Sequence, residues 1–356
     1  MTIKDVVNIL ENIAPLRYQE SYDNSGLIAG NPDAPFVKAL ICLDSTEEVI
    51  DEAIALGCNL VIAHHPIVFG GLKKITGKNY VERTVIKAIR NDINIYACHT
   101  NLDSVQNGVS RKICEKIGLQ NCRILVPQNG LLKKLSVVCH HEQAEALRLI
   151  WLNSGSIQRA IDAGFTYEQT VLSTGNGFSD NSSFDGDLVR IETVFAVHQE
   201  KEIMKALNNL PPGSVLNYTI NTIENTHSRI GLGMIGDMPQ ALEETEFLKH
   251  LKSTMQTGCI RHTKLLGKQI KTVAVCGGTG FSLLSHAIAQ KADVYVTADV
   301  KYHQFFDAEH HLILADIGHF ESEQFTIELI KDLLTEKITN FAAVLTQINT
   351  NPVYYL

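Results

Sequence analysis

Three short strings of histidine and acidic residues offer the clearest chemistry in this sequence of 356 residues. Each string follows an apolar run that predicts a buried β-strand. The strings are Ala63-His64-His65-Pro66, His99-Thr100-Asn101-Leu102-Asp103 and Gly318-His319-Phe320-Glu321-Ser322-Glu323. Because function collects at the carboxyl ends of parallel strands in an α/β sheet, we expect the three strings to meet in one crevice.

Imidazole and carboxylate groups suit divalent ions such as Zn, Fe, Mn, Co or Ni. His319 and Glu323 are four residues apart at the start of a predicted helix, which places both on one face. His64 and His65 can share a site only if the chain turns after the strand. One catalytic ion needs about three protein ligands, whereas two ions sharing carboxylates can use five. The predicted ligands of this two-metal site are His64, His65, Asp103, His319 and Glu323.

Adjacent histidines are weak evidence for a metal by themselves. The chain has two further pairs, His140-His141 and His310-His311, which fit surface positions at the boundaries of elements. The first pair differs from them because it follows a predicted strand and has two companion strings in equivalent positions.

His99 is the candidate catalytic residue outside the ligand set. It lies four residues before Asp103, where it can orient a ligand or carry a proton. A buried histidine that is hydrogen-bonded to the backbone explains the same position equally well.

A glycine-rich run, Gly277–Gly280, lies between a predicted strand and a helix. Such a loop can present backbone N–H groups to a phosphate. It lacks the lysine of a P-loop and the spacing of a dinucleotide fingerprint, so a tight turn without ligand explains it at least as well.

Composition indicates a globular protein with no strong attraction for nucleic acid. The sequence has 31 basic and 39 acidic residues, a net charge of −8, and no basic run. Its eight cysteines have no CxxC spacing, which favours a reducing cytoplasm over a disulfide framework. No apolar run approaches the roughly 20 residues that span a membrane. We therefore expect a cytoplasmic protein without a membrane segment.

Strands and helices alternate at both ends of the chain, which predicts α/β layering. The far end includes a predicted helix over Gln240–Met255 and a strand over Phe341–Leu345. The middle shows strand-helix-strand units that are typical of a small ferredoxin-like α+β domain. The expected division is residues 1–128 as α/β lobe 1, 129–226 as the inserted domain, and 227–356 as α/β lobe 2.

Five strings, in this order and spacing, resemble the NIF3-like family, also catalogued as GTP cyclohydrolase I type 2 homologs. They are AHHPIVFGGLKKI, CHTNLD, VAVCGGTG, YVTADVKYH and DIGHFESE. The resemblance covers essentially the whole chain and implies a two-lobed α/β core with an inserted PII- or CutA-like domain. It implies the same five metal ligands, two divalent ions per subunit, and a homohexamer built as a trimer of dimers.

Two functions follow from these expectations. The first is a metal-dependent hydrolase that acts on a nucleotide or another phosphorylated metabolite. The alternative is a non-catalytic metal-binding or regulatory protein that senses a small ligand through its inserted domain. The cyclohydrolase label is a family name and does not by itself predict an activity.

Overall fold

We describe the fold from a computed structural model that covers residues 1–153, 168–172 and 188–356. These residues form two compact units. One unit combines residues 1–126 with 230–356, and the other lies within residues 127–229. The predicted α/β class is confirmed by the parallel sheets and flanking helices of the first unit. The three-segment domain division stays a prediction.

The strands of the described residues are β1 Gly26–Ala29, β2 Ala39–Cys42, β3 Leu60–Ala63, β4 Asn94–Ala97, β5 Gln120–Gln128, β6 Leu132–His140, β7 Glu168–Leu172, β8 Leu188–Ala196, β9 Val215–Ile223, β10 His227–Glu243, β11 Arg261–His262, β12 Gln269–Val275, β13 Val294–Thr297, β14 Ile313–Asp316 and β15 Ala343–Leu345. The helices are α1 Ile3–Ile13, α2 Glu47–Ala55, α3 Tyr80–Arg90, α4 Thr100–Asp103, α5 Val109–Ile117, α6 His141–Asn153, α7 Glu200–Asn208, α8 Glu244–Thr254, α9 Leu284–Ala289, α10 His319–Glu323 and α11 Thr326–Lys337. Short 3₁₀ segments occur at Leu16–Tyr18, Val197–Gln199, Phe281–Leu283 and Tyr302–Ala308.

The first unit contains two sheets with parallel centres. One has the order β1-β4-β3-β2-β15, in which β4, β3, β2 and β15 are parallel and β1 is antiparallel. The other has the order β11-β14-β13-β12-β10-β5, in which β14, β13 and β12 are parallel. Strands β3, β4, β13 and β14 are buried along their whole length, which explains why they read as continuous apolar runs.

The two sheets share strands from distant parts of the sequence. β15, in the segment predicted as lobe 2, pairs with β2 in the first sheet. β5, in the segment predicted as lobe 1, lies at the edge of the second sheet. The predicted lobes are therefore joined by an exchange of edge strands.

The predicted helix over Gln240–Met255 is wrong in its first turn. β10 continues to Glu243, and α8 begins only at Glu244. Pairing of Leu242 with Ile270 and of Glu243 with Gln269 keeps these residues in the sheet, so tertiary pairing overrides their local preference.

Local signals begin several helices of the first unit. Thr2 and Asp5 form a reciprocal capping box at the start of α1, and Thr46 caps α2 by accepting a hydrogen bond from the Val49 N–H. The apolar faces of α2 and α3 pack on β2, β3 and β4 around Ile50 and Val61. These contacts fix the strand ends from which the candidate site is built.

The second unit has a four-stranded antiparallel sheet in the order β7-β8-β6-β9. Residues of α6 and α7 pack with β6 and β8 in one apolar cluster that includes Leu135, Leu147, Ile191 and Ile203. An antiparallel sheet with helices supplying its apolar cover is compatible with the predicted ferredoxin-like type, which stays a prediction.

We expect Ile62→Ala to lower the free energy of unfolding by about 2–5 kcal/mol, because it leaves a cavity in the fully buried centre of β3. Ile54→Ala is the matched control, since Ile54 lies on α2 and is 41% exposed. Urea denaturation of both variants measures the difference. An equal loss in the two variants would contradict the packing described here.

Candidate metal centre

His64 directly follows β3 and is completely buried. Its Nδ1 lies 2.8 Å from the carbonyl oxygen of Cys98, which can only accept, so Nδ1 carries the proton and donates it. Nε2 is then left with a free lone pair. It lies 3.8 Å from Asp103 Oδ1 and 3.7 Å from Glu323 Oε1, and it has no hydrogen-bond partner.

His65 reaches the same place because the backbone bends at residues 64–65, directly after β3. The two imidazole centroids are 4.8 Å apart. His65 Nδ1 lies 2.8 Å from Asp44 Oδ1, and its Nε2 lies 3.0 Å from Glu323 Oε2. The chain therefore turns directly after β3, which is the condition under which His64 and His65 can share a site.

His319 and Glu323 come from α10, which begins three residues after β14 ends. Their i, i+4 spacing brings His319 Nε2 to 3.1 Å from Glu323 Oε2. His319 Nδ1 lies 2.6 Å from Asp299 Oδ2, and its Nε2 lies 3.4 Å from His65 Nε2. All five predicted ligands therefore meet between the carboxyl ends of the two sheets.

The carboxylate of Glu323 divides the cluster into two sets of donor atoms. Its Oε1 faces His64, on the side of Asp103, whereas its Oε2 faces His65 and His319. Ligand atoms around a tetrahedral ion lie about 3.3–3.6 Å apart, given bonds of roughly 2.0–2.2 Å. The separations of 3.0–3.8 Å observed here are close to that spacing.

Buried donor atoms without partners provide a second test of fit. His64 Nε2 and Asp103 Oδ1 are both inaccessible to solvent and make no hydrogen bond. Such atoms are costly in a folded protein unless something completes their bonding. A divalent cation between them would do so, and the donor set of imidazole and carboxylate suits it.

The electrostatics of the cluster favour positive charge. Burial opposes ionisation of Glu323, but hydrogen bonds with His319 and His65 hold its pKa well below the usual range. Burial also disfavours the charged form of His65, yet hydrogen bonds to Asp44 and Glu323 raise its pKa to about 10. In Asp103, burial and the charge of Glu323 raise the pKa to about 7. The carboxylates thus attract cations, either protons or metal ions.

His99 lies beside the ligands, in contact with the ring system. Its centroid is 5.4 Å from those of His64 and His65, and nitrogen atoms of the three histidines lie within 4.8 Å of one another. Its Nδ1 lies 2.7 Å from Asp23 Oδ1. The partner is a carboxylate rather than the backbone, so the reading of His99 as a histidine bonded to backbone is not supported.

Three carboxylates that orient the histidines are not among the predicted site residues. Asp44 bonds His65, Asp299 bonds His319, and Asp23 bonds His99. Asp44 and Asp299 each lie two residues after a parallel strand, so the strand-end argument contained their signal. Asp23 lies in a polar loop with no such signal.

The glycine-rich run is a close-packed turn in which two of the four amides, those of Gly278 and Gly280, are already hydrogen-bonded. Gly278 N–H donates to Ser322 Oγ, and Gly280 N–H donates to Thr297 Oγ1. A Cβ on Gly278 would lie 2.4 Å from Glu323 Oε1. A tight turn without ligand therefore explains this run. Its glycines let the chain pass close to the histidine and carboxylate cluster.

A cavity of about 990 Å³ opens beside the cluster in the first unit. Its walls include ligands and orienting residues such as His65, Asp103, His319 and Asp44, together with Arg261. Lys301, Tyr302 and His303, at the end of the YVTADVKYH string, are exposed and lie outside the cavity wall of the described residues. The space is large enough for a metabolite-sized ligand.

Fold and site together define an α/β protein with a histidine and carboxylate cluster, between two parallel sheets, that can hold metal ions. Residues 1–352 match the sequence profile of the family described as Duf34/NIF3 (NGG1p interacting factor 3). The chain therefore belongs to the Duf34/NIF3 family, and the resemblance seen in its motifs is confirmed.

Relatives and solved structures match the chain over its full length. A Staphylococcus epidermidis protein named GTP cyclohydrolase 1 type 2 homolog is 32% identical over 369 residues, covering 100% of both chains. A Halalkalibacterium halodurans protein of the same name is 30% identical, covering 99% of this chain and 98% of its own. A solved Bacillus cereus protein related to NIF3 has a TM-score of 0.83 and 29% identity, covering 100% and 99% of the two chains.

Within the described ranges, which leave out residues 154–167 and 173–187, no helix combines the length and apolar composition needed to cross a membrane.

We expect Gly278→Ala to displace the Glu323 carboxylate, because Gly278 has a φ of +57° and its added Cβ would collide with Oε1. Gly267→Ala is the control: its φ is +71°, but a Cβ there would meet nothing within 4 Å. Both variants carry the left-handed strain of roughly 1–2 kcal/mol. Crystal structures and unfolding curves of both should show a shifted Glu323 and a larger loss of stability only in Gly278→Ala. An unmoved Glu323 would contradict the crowding inferred here.

Proposed function

We propose that this chain binds two divalent metal ions and, with them, hydrolyses a nucleotide or another phosphorylated metabolite. The proposed ligands are His64, His65, Asp103, His319 and Glu323. Glu323 would be the central ligand, since its two oxygens face different sets of donors.

One observation carries the proposal. In each of the three ligand histidines, Nδ1 is engaged by an oxygen, from Cys98, Asp44 or Asp299, and Nε2 faces the shared cluster. Outer acceptors of this kind fix the orientation of a metal-binding imidazole and raise its basicity. A cluster of histidines that only filled the core would not need the same arrangement three times.

When bound, the ions would polarise the scissile group and supply a nucleophilic water near neutral pH. The chain's own residues would position the reactants. Because Asp23 holds the Nδ1 side of His99, the opposite nitrogen is available to accept or return a proton. We retain His99 as the candidate catalytic residue on this ground.

Arg261 supports an anionic substrate. It lies in the cavity wall, and its guanidinium is fixed by Asp316 and by the Val300 carbonyl oxygen, 3.1 Å away. Its side chain remains 55% exposed, so further N–H donors are free to meet a phosphate.

We further propose, from the resemblance, that residues 129–226 form an inserted ferredoxin-like domain and that the subunits assemble into a cytoplasmic homohexamer. The four-stranded antiparallel sheet of the second unit supports the first of these proposals. Light scattering of the purified protein would measure the mass of the assembly, and a monomer would contradict the hexamer.

Metal analysis of the native protein, with anomalous scattering to place the ions, should find two ions per chain. Loaded with that metal, the protein should turn over at least one member of a panel of phosphoesters and nucleotides that includes GTP. Asp103→Ala should lose metal and turnover, because it removes an inner carboxylate. Asp51→Ala is the control, since its carboxylate is exposed and pairs with Lys87.

The outcomes separate the two candidate functions. Metal binding with turnover that Asp103→Ala abolishes supports the hydrolase. Two bound ions without turnover across the panel support a metal-binding or regulatory protein. Absence of bound metal under all loading conditions contradicts both.

A second variant tests the orienting carboxylates. Asp44→Ala should weaken metal binding by about 10–100-fold, because the Nδ1 side of His65 loses its acceptor. Asp44→Asn should restore part of the affinity through its amide oxygen, and Asp33→Ala, at an exposed position, should change nothing. Calorimetric titration with the native metal measures all three. Equal affinities for Asp44→Ala and the native chain would show that His65 needs no support.

A further inference from the structure

Two exposed aromatic rings stand at the edge of the cavity, next to the candidate metal centre. Tyr22 is 62% exposed and Phe69 is 52% exposed, and both contribute to the cavity wall. Their centroids are 6.2 Å apart, and the Phe69 centroid is 6.0 Å from that of His99. Ring contacts therefore run from the candidate ligand His64 through His99 and Phe69 to Tyr22.

The loops that carry these rings are fixed although the rings face solvent. The side chain of Asp23, beside Tyr22, is buried and accepts hydrogen bonds from His99 Nδ1, Ser25 Oγ and the Thr100 N–H and hydroxyl. Asn24 Nδ2 then donates to the Val68 carbonyl oxygen at 2.6 Å, which joins the loop of Tyr22 to that of Phe69. The same carboxylate that orients His99 thus holds the aromatic pair beside the cluster.

An exposed aromatic pair held in this way differs from scattered surface apolar residues. Single exposed apolar side chains are ordinary, but two adjacent large rings at the edge of a ligand-sized cavity indicate a binding surface. The rest of the cavity wall contains acidic and small residues, apolar residues that include the aromatic Phe320 and Tyr355, and Arg261 as a cation. The cavity thus combines an aromatic surface, a metal-binding cluster and a cationic group.

We propose that Tyr22 and Phe69 form a stacking surface for a planar heteroaromatic ring of the ligand, whose anionic group is held at the metal cluster and Arg261. This inference rests on the proposed function and narrows its substrate class to compounds that carry both a ring and an anion. Aromatic side chains stack on such rings without requiring one particular pattern of hydrogen bonds.

Binding measurements on the metal-loaded protein test the inference without turnover. The probes are AMP and GMP, which carry a ring, and ribose 5-phosphate, which carries the same anion without one. The native chain should bind the nucleotides more tightly than ribose 5-phosphate. Tyr22→Ala and Phe69→Ala should weaken nucleotide binding by roughly 5- to 100-fold and leave ribose 5-phosphate unchanged.

Two controls match these variants. Tyr22→Phe keeps the ring and should keep the affinity. Tyr80→Ala removes a ring that is 60% exposed on α3, away from the cavity wall, and should bind like the native chain. Light scattering of each variant checks the mass of the assembly.

Three results would overturn the inference. The native chain could bind ribose 5-phosphate as tightly as the nucleotides, or the alanine variants could weaken both kinds of probe equally. The variants could also change the mass of the assembly without changing nucleotide affinity, which would assign the rings to an interface between copies of this chain. A chain that takes up no metal but still selects nucleotides through Tyr22 and Phe69 would contradict the proposed hydrolase alone.

Discussion

The structure of the first unit depends on the contacts that the buried carboxylate of Glu323 makes with histidines. Glu323 is 3% exposed, and it contacts imidazoles from two histidines that lie more than 250 residues earlier in the chain. A buried carboxylate is costly unless it is fully compensated, so the two sheets must be held in a fixed relation around it. The close turn at Gly278 and the short helix α10 both serve this placement.

The residues of the site form successive layers around this carboxylate. His64, His65 and His319 surround Glu323, and behind each imidazole stands an oxygen acceptor supplied by a different strand end or loop. Asp23 extends the arrangement outward, since it orients His99 and also fixes the loop of Tyr22. The chemistry of the centre and the shape of the cavity edge are therefore set by one continuous network.

The sequence predicted much of the site because its elements carry strong local patterns. Buried parallel strands such as β3 read as unbroken apolar runs, and the residues that follow them point into one crevice. Asp44 is not among the predicted site residues, although it follows β2 by two residues and the strand-end rule applies to it equally. Strand pairing could not be predicted in the same way, because nothing in the local sequence of the short strand β15 indicates that its partner is β2.

The distance along the chain between the two halves of the cluster has a consequence during synthesis. His65 and Glu323 are separated by 258 residues, and β2 receives its neighbour β15 later still. At about 5–20 residues per second, a growing chain would display its paired imidazoles for roughly 13–50 s before their carboxylate emerges from the ribosome. During that interval the nascent protein has only part of its metal-binding cluster, and the edge of β2 is unpaired. The rate of translation therefore determines when the cluster can first be completed.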